Sequence, residues 1–213
     1  MLAFDCSGER RSAALLEDDA IVAFTEESGA RRHAERLVAQ VDELLADAGA
    51  DYASIDVIAA VHGPGSFTGV RVAVAAARAW ALVLDRPVLA VDGREALLAA
   101  MAPTGAARVA AIDARRGGVY VAWSGEVDDA PTTALAPVDV VRAIDGPLSI
   151  AGSGAQLVAA EAAGRASLDP ATLDARAVAA AARLRLQLGE RPAPGSALTP
   201  LYLRAPDAVA GAA

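Results

Sequence analysis

The sequence contains no lysine and no asparagine, and Cys6 is its single cysteine. Without lysine there is no lysine amine for catalysis and no lysine for a Walker A phosphate loop. One cysteine cannot form a disulfide within the chain, which favours a reducing compartment, and we expect the protein to be cytoplasmic. Aromatic residues are also rare, at 4%, whereas hydrophobic residues reach 54% of the 213 positions and predict a sizeable core.

The sequence also lacks the pattern of a targeting or membrane-spanning segment. The N-terminus has no basic region followed by a long apolar stretch, so we expect no signal peptide. Residues 70–84 come closest to an apolar run of membrane-spanning length, but Arg71 and Arg78 interrupt them. We therefore expect no association with a membrane.

Charge and metal-ligating residues argue against two further classes of function. The net charge of -8 predicts weak binding of nucleic acid by the chain alone, because contacts with phosphates dominate that affinity. His33 and His62 are the only histidines and neither has a second histidine at i+4, so we predict no bound metal. Cys6, at the end of an apolar run, is more typical of a small buried hydrophobe than of a nucleophile.

The most conspicuous feature that is present is a glycine-rich loop at residues 63–71. The β-branched, mostly apolar run 55–61 before it predicts a buried strand, and residues 70–84 after it predict a helix. A loop between a strand end and a helix start favours an anion or nucleotide site; a tight turn that binds nothing is the alternative. The candidate residues are the glycines Gly63, Gly65 and Gly69, with Ser66 or Thr68 as the helix cap.

One pattern occurs twice in the chain. An apolar run that ends at Asp5 is followed by a turn and a strand, and the same order recurs around Asp113. Each aspartate could simply cap its turn, or the pair could hold a magnesium-nucleotide. Such duplicated hairpins are similar to the actin-like ATPase fold, an α/β fold of two ribonuclease-H-like halves. Pro103-Thr104-Gly105 suggests a boundary that divides the chain into residues 1–102 and 103–213.

Hydrophobic periodicity and breaker residues define the remaining elements. Residues 191–199 form a Pro/Gly linker, and residues 200–204 indicate a docked strand or an extended tail. The other predicted helices span 31–48, 94–101, 138–144, 154–163 and 174–188, and the other predicted strands span 12–17, 20–25, 87–91, 119–123, 134–135 and 148–151.

The loop string Gly-Pro-Gly-Ser-Phe-Thr-Gly-Val-Arg resembles the signature of the TsaB family, a bacterial subunit of the complex that makes threonylcarbamoyladenosine in tRNA. The sequence departs from the family pattern at Gly118, where glutamate is common, and at His62, where small or basic residues are usual. The pattern also appears, in the family order, at Leu2-Ala3-Phe4-Asp5, Arg32-His33-Ala34-Glu35, Ile112-Asp113-Ala114-Arg115 and Pro200-Leu201-Tyr202-Leu203-Arg204.

The resemblance implies a non-catalytic subunit that scaffolds and activates a TsaD-like transferase. TsaD carries a His-x-x-x-His metal motif, and the matching positions here are Gly93 and Leu97, which cannot bind a metal. The resemblance further implies a TsaE-like P-loop ATPase, tRNA bound only through the complex, and a possible homodimer. The complex would use ATP and threonylcarbamoyl-adenylate, with no cofactor on this chain alone. It would modify the adenosine beside the anticodon in tRNAs that read codons beginning with A.

The resemblance also implies an association face made by the helices 31–48 and 67–84, used by a homodimer and by the TsaB–TsaD pair. The second helix is apolar around nearly its whole circumference, so one face should pack on the sheet and another is left for a partner or for the second half. The predicted interface residues are Leu37, Val41 and Leu44 from the first helix and Val70, Arg71, Ala73, Val74, Ala77 and Arg78 from the second.

An enzyme of the actin-like ATPase or small-molecule kinase class is the alternative function. In that case Asp5 and Asp113 would act on a magnesium-nucleotide. ATP turnover by the isolated chain distinguishes this alternative from a non-catalytic subunit.

Overall fold

A computed structural model describes residues 1–29, 33–124, 131 and 133–203. Two β-sheets, one from each part of the chain, organise the fold. The first is five-stranded, in the order β3-β2-β1-β4-β5. Its strands and the helices between them are β1 (Leu2–Asp5), β2 (Arg10–Glu17), β3 (Ala20–Ser28), α1 (His33–Asp47), β4 (Ile58–Gly63), α2 (Phe67–Leu84), β5 (Val88–Asp92) and α3 (Gly93–Ala100).

The inner strands of the first sheet, β2, β1 and β4, are buried on both faces because helices cover each of them. Strand β1 lies in the centre, antiparallel to β2 and parallel to β4, and all its residues are buried. Its alternate side chains enter two separate cores, Leu2 and Phe4 on the side of α1 and α2, and Ala3 on the opposite side. A two-sided burial of this kind explains why the strands are apolar runs with little polar alternation.

The second sheet repeats the connectivity of the first. It has four strands in the order β7-β6-β8-β9. Strand β6 is antiparallel to β7 and parallel to β8, as β1 is to β2 and β4. The elements are β6 (Ala107–Asp113), β7 (Val119–Trp123), α4 (Pro137–Ala143), β8 (Leu148–Ala151), α5 (Ala155–Glu161), β9 (Ala166–Leu168) and α6 (Ala175–Gln187). The α/β fold of two ribonuclease-H-like halves therefore agrees with the sequence prediction.

The last helix returns to the first sheet. Helix α6 packs on β1 and β2 and against α3. Asp174 caps it by accepting hydrogen bonds from the N–H groups of Arg176 and Ala177. Ser12 Oγ in β2 accepts the N–H of Ala175 at 2.8 Å. The division at residue 103 falls between the two sheets, but the halves are interleaved because α6 belongs to the first core.

The chain then continues along the first sheet as residues 191–203, here called the C-terminal strap, which contains a short 3-10 turn at Gly195–Ala197. Ala193 pairs with Val88 at the free edge of β5 through two backbone hydrogen bonds of 2.7 and 2.9 Å. Leu198 is buried in the core under α2, and Leu203 is buried in the core of the second half. The strap thus connects the two halves on the side of the glycine loop.

Several element boundaries differ from the sequence prediction. Strand β4 begins at Ile58 and not at Ile55, because Ile55 closes a short 3-10 turn, Tyr52–Ser54, with its N–H on the carbonyl of Tyr52. The predicted strand at 134–135 is a single bridge between Leu135 and Val119. Strand β9 has no counterpart in the prediction, because its three residues, Ala-Ser-Leu, are too few to show a period.

Helix α2 is long and apolar enough, by length and composition alone, to cross a membrane, with a mean hydropathy of 1.5. Its inner face, which includes Val70, Ala73 and Ala77, packs into the core of the first half. The opposite face carries Leu82 and Val83, which are 83% and 79% exposed. The apolar composition of α2 thus reflects a buried face together with an apolar outer face.

Candidate functional site

The glycine loop joins the end of β4 to the start of α2 and packs directly on the turn between β1 and β2. The N–H of Ser66 donates to the carbonyl of Ser7 at 2.7 Å. Ser66, and not Thr68, caps α2, because its Oγ accepts the N–H of Gly69 at 3.1 Å. Ser66 therefore ties the loop both to the turn after β1 and to the first turn of α2.

Close backbone contacts explain the glycines of the loop. A Cβ placed on Gly69 would lie 1.8 Å from the carbonyl oxygen of Cys6. A Cβ on Gly65 would lie 2.6 Å from Ser7, and one on Gly63 would lie 2.3 Å from the carbonyl oxygen of Leu201 in the strap. The turn, the loop and the strap meet here with no room for a side chain. The predicted binding of an anion or nucleotide by this loop stays a prediction.

Asp5 and Asp113 have the same local role in their two halves. Asp5 Oδ1 accepts the N–H of Ser7 at 2.8 Å, and Asp113 Oδ1 accepts the N–H of Arg115 at 2.7 Å. Each aspartate therefore caps the turn that follows its strand, in the i to i+2 pattern of an Asx turn. These hydrogen bonds agree with one of the two interpretations of the sequence, in which each aspartate caps the turn of its hairpin. A magnesium-nucleotide on this pair stays untested.

Burial separates the two aspartates. Asp5 is 2% exposed, and desolvation by burial raises its pKa to about 6, with the nearby carboxylate of Asp174 acting in the same direction. Asp113 is only half-buried and also donates its N–H to Ser153 Oγ at 3.0 Å. The carboxyl of Asp5 is therefore enclosed within the first half, whereas that of Asp113 lies near the surface of the second half.

The two hairpin turns face each other across the boundary between the halves. Arg115 Nη2 lies 3.8 Å from Glu9 Oε1, and Arg115 Nη1 lies 3.6 Å from Asp113 Oδ2. A cavity of about 550 Å³ opens beside the second turn and is lined by Arg115, Leu135 and Leu203, among others. Neither Asp5 nor Asp113 lines it. In the described part of the chain, no group of three or more His, Cys, Asp or Glu residues could hold a metal ion.

The positions that match the metal motif of TsaD lie on helix α3. Gly93 is its first residue and Leu97 faces the core of the second half, and both are buried. Arg94 beside them is also buried, and its guanidinium binds Asp92 and the carbonyls of Val121 and Pro131. The positions that align with the metal ligands of TsaD are therefore packed where the two halves meet.

The predicted interface residues require a correction. All of the apolar residues in that prediction are buried within the chain itself, with exposures between 0 and 4%. A helix that is apolar on every side does not show by spacing alone which face packs on the sheet, and the wrong face was chosen. The buried residues are Leu37, Val41, Leu44, Val70, Ala73, Val74 and Ala77; only Arg71 and Arg78 of the prediction are exposed.

The outer face of α2 is a stripe on the side of the helix opposite its buried residues. Beyond Thr68 in its first turn it is apolar apart from the two arginines, and the small residues Ala75 and Ala79 lie near its middle. Val38 of α1, which covers the same face of the sheet as α2, is also 47% exposed. We call this surface the outer stripe; it consists of Phe67, Arg71, Ala75, Arg78, Ala79, Leu82 and Val83.

One cluster escaped the sequence analysis although two of its members lie in the loop string. The rings of Phe67 and Tyr202 lie 5.4 Å apart, and the guanidinium carbon of Arg71 lies 3.8 Å from the centre of the Phe67 ring. Arg71 Nε donates to the hydroxyl of Tyr202 at 2.9 Å. We call these three residues the aromatic clasp. The signal available in the sequence was that both family segments contain an aromatic residue.

The topology and the duplicated Asx turns define an α/β protein of two ribonuclease-H-like halves, the architecture of actin-like ATPases. The family model described as "TsaD: tRNA N6-adenosine threonylcarbamoyltransferase" matches residues 24–161. A solved structure from Pseudomonas aeruginosa, of an uncharacterized protein with similarity to peptidase YeaZ, superposes with a TM-score of 0.78 at 33% identity. The superposed region covers 95% of this chain and 98% of the Pseudomonas aeruginosa chain.

Two curated relatives carry the description "tRNA threonylcarbamoyladenosine biosynthesis protein TsaB". The protein of Escherichia coli is 36% identical over 141 residues, which are 61% of this chain and 61% of the relative. The protein of Haemophilus influenzae is 38% identical over 122 residues, which are 56% of this chain and 51% of the relative. The chain thus spans between half and two thirds of these relatives. Together with the full-length structural match, these similarities show that the chain belongs to the TsaB family.

The packing of the loop predicts a steep cost for a side chain at residue 69. Gly69→Ala places a methyl carbon 1.8 Å from the Cys6 carbonyl oxygen, so the loop or the turn must move. We expect the free energy of unfolding to fall by about 1–3 kcal/mol or more, measured by urea denaturation. Gly105→Ala is the matched control, because a Cβ there meets no atom within 4 Å; its effect should stay within about 0.5 kcal/mol. Equal stability of the two variants would contradict this role of the loop.

The raised pKa of Asp5 predicts a pH-dependent stability. Its native pKa of about 6 lies above the unfolded value of 3.8. The protonated carboxyl therefore stabilises the fold fully below the unfolded pKa, and this contribution is lost as pH rises through 6. Asp5→Asn keeps the acceptor for the Ser7 N–H but removes the titration.

The variant should consequently gain stability relative to the wild type between pH 4 and 6, by at most about 1.4 kcal/mol per pH unit, as measured by urea unfolding across this range. Asp113→Asn makes the same change in the half-buried turn of the second half and separates the effect of burial from that of the turn. A difference for Asp5→Asn that does not vary with pH would show that the carboxyl does not titrate in this range.

Proposed function

We propose that this chain acts in the formation of threonylcarbamoyladenosine in tRNA, as the subunit that binds and activates a TsaD-like transferase. The observation that carries the proposal is membership of the family whose curated relatives bear that description. The match to the transferase family model also supports the proposal, because it indicates that this chain and the transferase are related proteins with a common fold. The resemblance adds a TsaE-like P-loop ATPase, with ATP and threonylcarbamoyl-adenylate as reactants of the complex.

The outer stripe of α2 is the surface best suited to the transferase. Leu82 and Val83 expose large aliphatic side chains, and Ala75 and Ala79 allow a helix of the partner to approach closely. A second copy of this chain could bind the same surface, so homodimer and heterodimer would be mutually exclusive.

The transfer of threonylcarbamoyl to tRNA then depends on the partner. In this chain Asp5 is buried in its turn, and the positions aligned with the metal motif are a glycine and a leucine in the core. A net charge of -8 disfavours binding of a polyanion by this chain alone, so tRNA would be bound through the assembled complex. ATPase or kinase activity that uses Asp5 and Asp113 has less support, because both carboxylates are engaged in Asx turns.

Reconstitution tests the proposal. The TsaD-like and TsaE-like proteins of the same organism are combined with tRNA, ATP and threonylcarbamoyl-adenylate, with and without this chain, and the modified nucleoside is quantified by mass spectrometry. We expect a stable complex with the transferase and modification that depends on this chain. ATP turnover by this chain alone, with no binding to the transferase, would instead support the kinase-like alternative.

Substitutions on the two faces of α2 test the surface. Ala75→Asp and Ala79→Asp place a charge on the outer stripe, and burial of that charge should weaken association by roughly 30-fold or more, while thermal unfolding is unchanged. Ala73→Asp and Ala77→Asp are the matched controls, because both positions are 0% exposed and a charge there should unfold the chain. Sedimentation with and without the transferase measures both effects. Normal association of folded Ala75→Asp would place the partner elsewhere.

A further inference from the structure

Arg71 is the one exposed arginine of the outer stripe whose guanidinium is held by other side chains of the described residues. One face of the group lies over the Phe67 ring at 3.8 Å, and its Nε donates to Tyr202 at 2.9 Å. Both contacts fix the plane of the guanidinium, because a stacked ring sets its tilt and a hydrogen bond sets its rotation.

The donors that would bind a partner remain available. The hydrogen bond to Tyr202 uses Nε, and neither terminal nitrogen of Arg71 donates a hydrogen bond to a described residue. These two nitrogens form the edge of the guanidinium that matches a carboxylate in bidentate geometry. An arginine held in advance loses less conformational entropy on binding than a free one.

Tyr202 is itself held by the C-terminal strap. On one side Leu201 donates its N–H to the carbonyl of His62 at 2.7 Å, and on the other side Leu203 is buried in the core of the second half. The position of the tyrosine hydroxyl therefore follows from the packing of the strap on the glycine loop.

The surroundings favour a protein carboxylate over a nucleic-acid phosphate. Apart from Arg78, the outer stripe beyond Arg71 consists of alanine, leucine and valine, whereas phosphate-binding surfaces gather several cations. An arginine that becomes buried among apolar residues on association is typical of the centre of a protein interface. The net charge of -8 also opposes a polyanion.

We propose that Arg71 is a carboxylate-binding residue of the outer stripe, which receives an aspartate or glutamate side chain of the transferase, and that Tyr202 is its positioning residue. This inference rests on the proposed function, since it names the chemistry of the same surface. The aromatic clasp thus connects a residue near the C-terminal end of the described chain to the affinity for the partner.

Affinity measurements with the purified transferase test the inference. Arg71→Lys keeps the charge but loses the planar fork, and we expect about 10-fold weaker binding. Tyr202→Phe keeps the stacked ring and removes only the hydroxyl, and we expect about 3-fold weaker binding. Arg78→Lys, on the same stripe without a clasp, should lose less than Arg71→Lys, and the remote Arg142→Lys in α4 should bind as the wild type does. Thermal unfolding of each variant shows that the fold is retained.

A double-mutant cycle separates positioning from a structural effect. If Tyr202 acts through Arg71, Tyr202→Phe should cost nothing further once Arg71 is lysine. Additive losses in the double variant, or normal binding by Arg71→Lys, would overturn the inference.

Loss of tRNA binding by the complex with unchanged affinity for the transferase would also overturn it, in favour of a phosphate ligand. Loss of self-association alone would assign the carboxylate to a second copy and refute the choice of the transferase. Absence of binding by the wild type would refute the proposed function instead.

Discussion

The contact between the backbone of Gly69 and the carbonyl of Cys6 is the constraint on which the arrangement of the first half depends. It brings the start of α2 onto the turn that follows β1, so the helix lies over the centre of the sheet. The strap then closes over the same loop with Leu201 against Gly63. Because all three segments meet through main-chain atoms, none can shift without the others, and the clasp residues Phe67 and Tyr202 are set side by side as a result.

The same design is used twice with different degrees of closure. In the second half Gly152 and Gly154 lie between β8 and α5, and a Cβ on Gly152 would lie 2.4 Å from the carbonyl oxygen of Ala111. Ser153 Oγ then accepts the N–H of Asp113, beside the Asx turn. Both halves therefore bring a glycine turn against the end of their central strand. What differs is the hairpin turn beside it, since Ser7 in the first hairpin is buried, whereas residues 115–118 of the second line an open cavity.

Much of the fold could be predicted from the sequence, because period, breakers and duplicated aspartates are local signals. The helix 67–84 follows from composition, and Ser66, which caps it, was one of the two predicted cap residues. The outward face of α2 could not be predicted, since Ala73 and Ala75 are identical in chemistry and differ only in what packs on them. The role of Gly69 was hidden, because its close contact with Cys6 depends on a segment distant in sequence. The Asx turn of Asp5 is local and was one of the two interpretations of that residue, but its burial depends on distant segments. Tyr202 belongs to the family motif at residues 200–204, yet only the path of the strap shows that it contacts Arg71.

The path of the strap also sets an order in which the protein is completed during synthesis. Leu198 belongs to the core that contains Phe4 and Val70, and α6 covers the other face of the same sheet. Both segments leave the ribosome only after the entire second half has been made. The first half consequently emerges with one face of its sheet uncovered and the edge of β5 unpaired, and exposed apolar strands of this kind are prone to wrong association. The sheet of the first half is therefore fully covered only when the strap residues have left the ribosome.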